Sequence, residues 1–341
     1  MLQPSYDDQS AYWSEEMMTH SMKLIFRNCS HHLESVTDKY DCPASSLKLL
    51  GKPLIVRNVS IASNIHLIGT VMIPKEFPSA LALVQDNFPS MNVEEYHDNS
   101  EISSIAIDNT INPSGKLTIR GNGESLELPL NSVLHYSRTG SLLIDSIVYP
   151  WDFLDMIQKT LQEEITHTVI SPSASIAKSS IIDGPCIIED DVTIDDFCKI
   201  KGPTYISKGS FIGMSSLIRN CMMGNETRIG FNCEIAKSYF AGNTKIAHQN
   251  VILDSIIGKN VWFGGYSGTA NVLLNRRNIR YDIGGNGKLV DTGTDHFGAV
   301  VGNNCAIGAS VIILPGRQVP HNTVIQAGTI VGKNNNVLAE K

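Results

Sequence analysis

The chain has 341 residues, of which 18% are charged, and its formal net charge is −7. That length leaves room for two domains of ordinary size, and the acidic balance excludes a basic field suited to nucleic acid or an anionic membrane surface. Residues 1–30 are polar and carry Asp7, Asp8, Glu15 and Glu16, so no secretory leader is expected. No apolar run approaches the length of a membrane span. The seven cysteines include no Cys-x-x-Cys pair and are read as reduced thiols of a cytoplasmic protein, neither a zinc site nor a disulfide framework.

The first predicted elements lie in "LIGTVMIPKEFPSALALVQDNFPSMNVEEY" (Leu67–Tyr96), which reads as strand, helix, strand and suggests an α/β layer. A helix follows in "YPWDFLDMIQKTLQEEI" (Tyr149–Ile165). Asp152 is its expected cap, and Phe153, Ile157, Leu161 and Ile165 line one apolar face. The first domain is therefore set at 1–165, ending in this linker helix, and the second at 166–341.

The second domain is a repeat. Ile170, Ile176, Ile182, Ile188, Ile194, Ile200, Ile206, Ile212 and Ile218 stand six residues apart. The register resumes with Val301, Ile307, Ile313, Val319, Ile325, Val331 and Val337. Four residues after each comes a compact one: Ala174, Ser180, Cys186, Val192, Cys198, Thr204, Ser210 and Ser216, then Cys305, Val311, Thr323 and Thr329. Cys233 shares that slot, so core packing explains four of the cysteines. One hexapeptide cannot bury its isoleucine alone, but coils stacked about 4.8 Å apart bury a continuous ladder of them. Between Ile212 and Thr269 the pairs Ile212/Ile218, Ile229/Ile235, Ile246/Ile252 and Phe263/Thr269 recur every 17 residues. Each such coil is three hexapeptides less one residue, a layer of a triangular prism. From Val272 to Gly298 the register stops in a polar, basic, Gly-rich stretch, read as a loop extruded from the prism and a place for function.

With these residues in view, 166–338 resembles the left-handed parallel β-helix of hexapeptide-repeat acyltransferases, most closely in "IGASVIILPGRQVPHNTVIQAGTIV" (Ile307–Val331). The left hand comes from the resemblance, because the usual rule for parallel crossovers gives a right-handed coil. "KLLGKPLIVRN" (Lys48–Asn58) and "YPWDFLD" resemble segments of sugar-phosphate nucleotidyltransferases, whose domain often precedes such a helix. That family wraps phosphates in an early Gly-rich loop, whereas the first glycine here is Gly51. Without it, backbone amides cannot close on a phosphate. The expected fold is thus a reduced nucleotidyltransferase-like α/β domain followed by an all-β left-handed β-helix.

"TKIAHQNVILDSIIGKNVWFGGYSGTANV" (Thr244–Val272) resembles the acetyltransferase half of bifunctional N-acetylglucosamine-1-phosphate synthesis enzymes. The resemblance implies His248 as the catalytic base and Asn271, Arg277, Arg219 and Lys237 as substrate contacts. It implies Ala309, Ala327 and Gly328 against the cofactor, acetyl-CoA, which lies along the prism beside a neighbouring subunit of a homotrimer. No metal is required for acyl transfer. The base chemistry is sound: an amine attacking a thioester must lose a proton, and imidazole can take it at neutral pH. Arg276, Arg280 and Lys288 join Arg277 as either a solvated loop or a clamp for phosphate or CoA. Three expected partners differ: Val251 stands for a tyrosine, Ala236 for a lysine and Trp262 for an asparagine. An acetyl-CoA-dependent N-acyltransferase of an amino sugar or its phosphate is therefore the leading expectation. A non-catalytic regulatory or scaffold relative is the alternative, and a nucleotidyltransferase the third.

Overall fold

The structure, a computed structural model, describes residues 22–25, 47–63, 68–96, 106–108, 116–121, 124–129, 149–283 and 287–332. Val337 of the expected ladder lies outside them. The chain forms two compact units, Met1–Cys29 with Ile55–Ser146, and Ser30–Leu54 with Ile147–Lys341.

The first unit contains a six-stranded sheet in the order Asn92–Tyr96, Ile68–Pro74, Met22–Ile25, Ala106–Asp108, Lys116–Gly121, Glu124–Pro129. The first four strands pair in parallel and the last two antiparallel. Helices α1 (Leu54–Ser63) and α2 (Pro78–Asn87) accompany it. Ile68–Pro74, α2 and Asn92–Tyr96 are the strand, helix and strand that the sequence predicts. Pro78 opens α2 at the position where its missing N–H costs nothing, and Ala80 and Val84 are buried.

The second unit is a parallel β-helix. Its short strands stack into three eight-stranded parallel sheets, the faces of a triangular prism. Face I contains Lys245–Ile246 and Trp262–Phe263, face II Val251–Leu253 and Gly268–Thr269, and face III Tyr239–Phe240 and Ile256–Ile257. The registers match the spacing in the sequence: Thr193 pairs with Phe211 at 18 residues, Arg228 with Lys245 at 17, and Trp262 with Ala306 at 44, across the insertion. From Ile188 to Val331 the large apolar residues of the repeat are buried in one continuous core. The first coil differs. Ile170 is 43% exposed and Ile176 and Ile182 are half-buried, because only one side of that coil is covered by another.

Helix α3 (Pro150–Glu164) belongs to this unit and buries Phe153, Ile157 and Leu161, with Ile165 buried just past its end. The expected cap is displaced by one turn position. Tyr149 is the N-cap, and Asp152 sits three residues inside, where Oδ2 accepts the Tyr149 amide at 2.8 Å. Phe153 meets Tyr239 of face III edge to face at 5.0 Å, and Gln158 Nε2 donates to the Asn220 carbonyl at 3.0 Å. The outer residues Tyr205, Met222, Tyr239, Ile256 and Val300 of face III are consequently buried, as its inner ones are. Faces I and II carry exposed outer residues instead.

The Val272–Gly298 insertion interrupts the coils as expected, but it folds back on itself. Its described residues form an antiparallel hairpin, Arg280–Asp282 with Leu289–Asp291. Ile279, Tyr281 and Phe297 are buried, and Tyr281 and Phe297 each meet Trp151 of α3 edge to face at 5.8 and 6.0 Å. Apolar residues hidden among glycines and arginines anchor the insertion, leaving Leu274–Asn278 exposed.

Candidate functional site

His248 occupies the corner between faces I and II. Lys245–Ile246 brings the chain along face I, Ala247–Asn250 turns it, and Val251–Leu253 continues on face II. Gln249 takes φ 53°, the left-handed conformation that the corner requires. The His248 carbonyl accepts from the Tyr266 amide at 3.0 Å and from Asn250 Nδ2 at 3.1 Å, which fixes the backbone under the ring. The ring itself is exposed, and Nδ1 accepts the Phe231 amide at 3.3 Å. A Cβ at Gly230 would stand 2.8 Å from the Ala247 carbonyl carbon and oxygen and 3.1 Å from Nδ1, so glycine there lets the two coils approach beneath the ring.

The same edge continues upward through Gly265–Tyr266, Ala309–Ser310 and Ala327–Gly328. Ser310 donates its amide to the Gly265 carbonyl at 2.9 Å and Gly328 to the Ala309 carbonyl at 2.8 Å. His248, Ala309, Ala327 and Gly328 thus share one edge of the prism, with exposed small residues above the imidazole.

The other expected contacts lie elsewhere. Arg219, Lys237 and Asn271 line the edge between faces II and III. Lys237 donates its amide to the Arg219 carbonyl at 3.0 Å, and Asn271 Nδ2 donates to Asp254 Oδ2 at 2.6 Å. Arg219 is paired with Glu234 at 2.6 Å. A strand of about three residues separates the edges, roughly 10 Å along face II. One prism therefore does not bring His248 together with Arg219, Lys237 and Asn271. Arg277 is exposed on the insertion, as are Arg276, Arg280 and Lys288. Of the three divergent positions, Val251 and Trp262 are 43% and 53% exposed, and Ala236 is buried.

Two features escaped the sequence reading. Compact corner residues accept hydrogen bonds from the coil above: Cys233 N donates to Ser216 Oγ, Asn250 N to Cys233 Sγ, Ser267 N to Asn250 Oδ1 and Val311 N to Ser267 Oγ. On the edge between faces III and I, Asn243, Asn260, Asn304 and Asn322 form a ladder of side-chain amides, each with φ between 48° and 59°. Asparagine tolerates that conformation better than most residues, and its recurrence could have marked the edge. The five described cysteines are free and buried. Among the described residues no group of three or more His, Cys, Asp or Glu is placed to hold a metal ion, and no helix is long and apolar enough to cross a membrane.

No family model matches the chain. In sequence it is similar to the "Bifunctional protein GlmU" of Methanococcus vannielii, 34% identical over 186 residues, covering 54% of this chain and 43% of that protein. The "Bifunctional sugar-1-phosphate nucleotidylyltransferase/acetyltransferase" of Sulfurisphaera tokodaii is 29% identical over 187 residues, 54% of this chain and 45% of that one. An "Uncharacterized acetyltransferase YaiX" of Escherichia coli is 28% identical over 179 residues, 52% and 69%. The similarity falls on the C-terminal half, and the chain spans under half the length of the two bifunctional relatives. Among solved structures, a UDP-N-acetylglucosamine acyltransferase aligns at TM-score 0.28 with 14% identity over 47% of this chain and 69% of that one. A perosamine N-acetyltransferase from Caulobacter crescentus, in complex with CoA and GDP-perosamine, aligns at TM-score 0.19 with 11% identity over 89% and 92%.

Proposed function

We propose that this protein is an acetyl-CoA-dependent N-acyltransferase of an amino sugar or amino-sugar phosphate. The observation that carries the reading is the exposed His248, held at a prism corner inside a half-chain similar to proteins named as acetyltransferases, with Ala309, Ala327 and Gly328 rising along the same edge. The acceptor amine attacks the thioester carbonyl, the new N–C bond forms as C–S breaks, and His248 moves the amine proton toward the departing thiolate. Acetyl-CoA extends along the edge above the ring, where small side chains leave room. The separation of the two edges supports a site shared between copies, in which Arg219, Lys237 and Asn271 of one chain face His248 of another. A homotrimer provides that pairing by rotation. Arg277, on the insertion, holds the acceptor's phosphate. The left hand of the prism and a cytoplasmic place, where acetyl-CoA is at hand, belong to the same reading.

The test is thiol release from acetyl-CoA with amino sugars and their 1-phosphates. His248→Ala is expected to lower turnover about 10²–10⁴-fold with acetyl-CoA affinity retained. Arg277→Ala is expected to raise the acceptor's KM instead. A fully active His248→Ala variant eliminates this base.

A second reading, a regulatory relative without turnover, is favoured by one contact. With Nδ1 accepting the Phe231 amide, the neutral ring carries its proton on Nε2, and the base form needs that long bond released. Val251, Ala236 and Trp262 point the same way. Absence of acetyl-CoA binding, together with no turnover, selects that reading.

A further inference from the structure

A cavity of about 400 Å³ opens on the outside of face III, away from the His248 edge. Its floor includes Tyr205, Met222 and Tyr239 of the prism and Leu47 of a strap. The strap is a hairpin, Lys48–Leu49 paired with Lys52–Pro53, turned by Leu50 and Gly51 at φ 47° and 76°. It is seated on the floor: Lys48 donates its amide to Tyr239 Oη at 3.4 Å, and a Cβ at Gly51 would lie 2.6 Å from Tyr205 Oη. Only glycine allows that approach, so the concavity is formed in advance and its volume suits a small metabolite.

The rim supplies charge and amides. Lys48 and Lys259 line the cavity with exposed side chains, and neither makes an ion pair among the described residues. Glu226 is the carboxylate among the lining residues. Glu189, behind Tyr205, is occupied by donors: the Tyr205 hydroxyl at 2.6 Å, the Ser207 hydroxyl at 2.7 Å and the Lys208 amide at 3.0 Å. In a chain of net charge −7, two uncommitted ammonium groups at one concavity select an anion. The single Ser207 proton goes to Glu189, so Asn225 turns its amide to donate one N–H to Ser207 Oγ, leaving its second N–H and its carbonyl oxygen for a ligand, and Asn243 Nδ2 donates to Asn260, leaving its carbonyl oxygen. A donor and an acceptor side by side on a rim match hydroxyl groups. Tyr205 and Tyr239 are only 2% and 3% exposed, so neither ring has an open face on which a nucleobase could stack.

We propose that this cavity binds a phosphorylated monosaccharide, its phosphate held by Lys48 and Lys259 and its hydroxyls by Asn225 and Asn243. The site stands independently of the acyl-transfer reading. The experiment is calorimetric titration of the full chain with glucose 6-phosphate, which carries no amine and cannot serve as acyl acceptor, and with inorganic phosphate and AMP. The expected result is a glucose 6-phosphate Kd below about 1 mM, weakened about tenfold or more by Lys48→Ala and by Lys259→Ala and unchanged by His248→Ala. Inorganic phosphate and AMP bind more weakly. Both lysines are exposed, so the variants keep the fold. Absence of glucose 6-phosphate binding up to about 10 mM, or affinity unchanged in both lysine variants, overturns the proposal. So does binding of phosphate or AMP as tight as that of glucose 6-phosphate, or loss of binding in His248→Ala.

Discussion

Ser255 shows what a compact corner residue does beyond fitting. Its hydroxyl accepts the Ala299 amide at 3.0 Å and donates to the Leu253 carbonyl at 2.7 Å. Ser255→Ala leaves that buried amide without a partner and is expected to cost about 1–3 kcal/mol. Ser255→Cys should cost less, because sulfur already takes this role at Cys233. Urea unfolding of the two variants separates them, and equal losses would show that size alone governs the slot. The hexapeptide period located the slot from sequence by the size of its residues. Its role as acceptor was not legible there, because the donor belongs to the next coil, 17, 18 or 44 residues on. His248 was legible as a corner residue through the neighbouring motif. The Phe231 contact on its ring was not, because it too crosses coils.

At the scale of elements, the β-helix was the most legible part, since its period exposes which residues point inward. Ile194 is buried and Asp195, beside it, is half-exposed. Ile194→Ala is expected to cost about 2–5 kcal/mol and Asp195→Ala far less, with equal losses by calorimetry contradicting the register. The apolar stripe of α3 was equally clear. Its cap was misplaced because Asp152 can close the helix from the third position as well as from the first. Thr160 of α3 has a fully buried hydroxyl with no hydrogen-bond partner among the described residues. Thr160→Val keeps the shape and removes that desolvated group, so it is expected to stabilise the protein by about 1 kcal/mol. A lowered melting temperature would mean that the hydroxyl has a partner after all. The insertion was legible as an interruption but not as a hairpin. Its anchors Ile279, Tyr281 and Phe297 follow no period, and Tyr281 and Phe297 find their partner, Trp151, more than a hundred residues away.

For the whole molecule, burial sets a limit on alkaline stability. It pushes the Cys186 thiol up to about 11 and the Cys221 thiol up to about 12, from an ordinary 9.0, and the Tyr239 hydroxyl up to about 12 from 10.0. The folded state keeps protons that the unfolded chain releases. These groups therefore stabilise fully below pH 9, and their contribution is lost as the pH rises from 9 through 12. Urea midpoints should fall steadily over that interval, and a flat profile would contradict the burial. The candidate site was only partly legible at this scale: each residue could be placed on a motif, but the spread of the set over two edges appears only when the coils are stacked. The most direct test of the acyltransferase reading is whether acetyl-CoA binds the intact protein at the His248 edge. A ligand that binds only the folded state at about 100 times its Kd stabilises it by about 2.7 kcal/mol. Acetyl-CoA should accordingly raise the melting temperature of the wild type and of His248→Ala, but not of Ala327→Trp, which fills the edge above the ring. No shift in the wild type, or the same shift in Ala327→Trp, would contradict it.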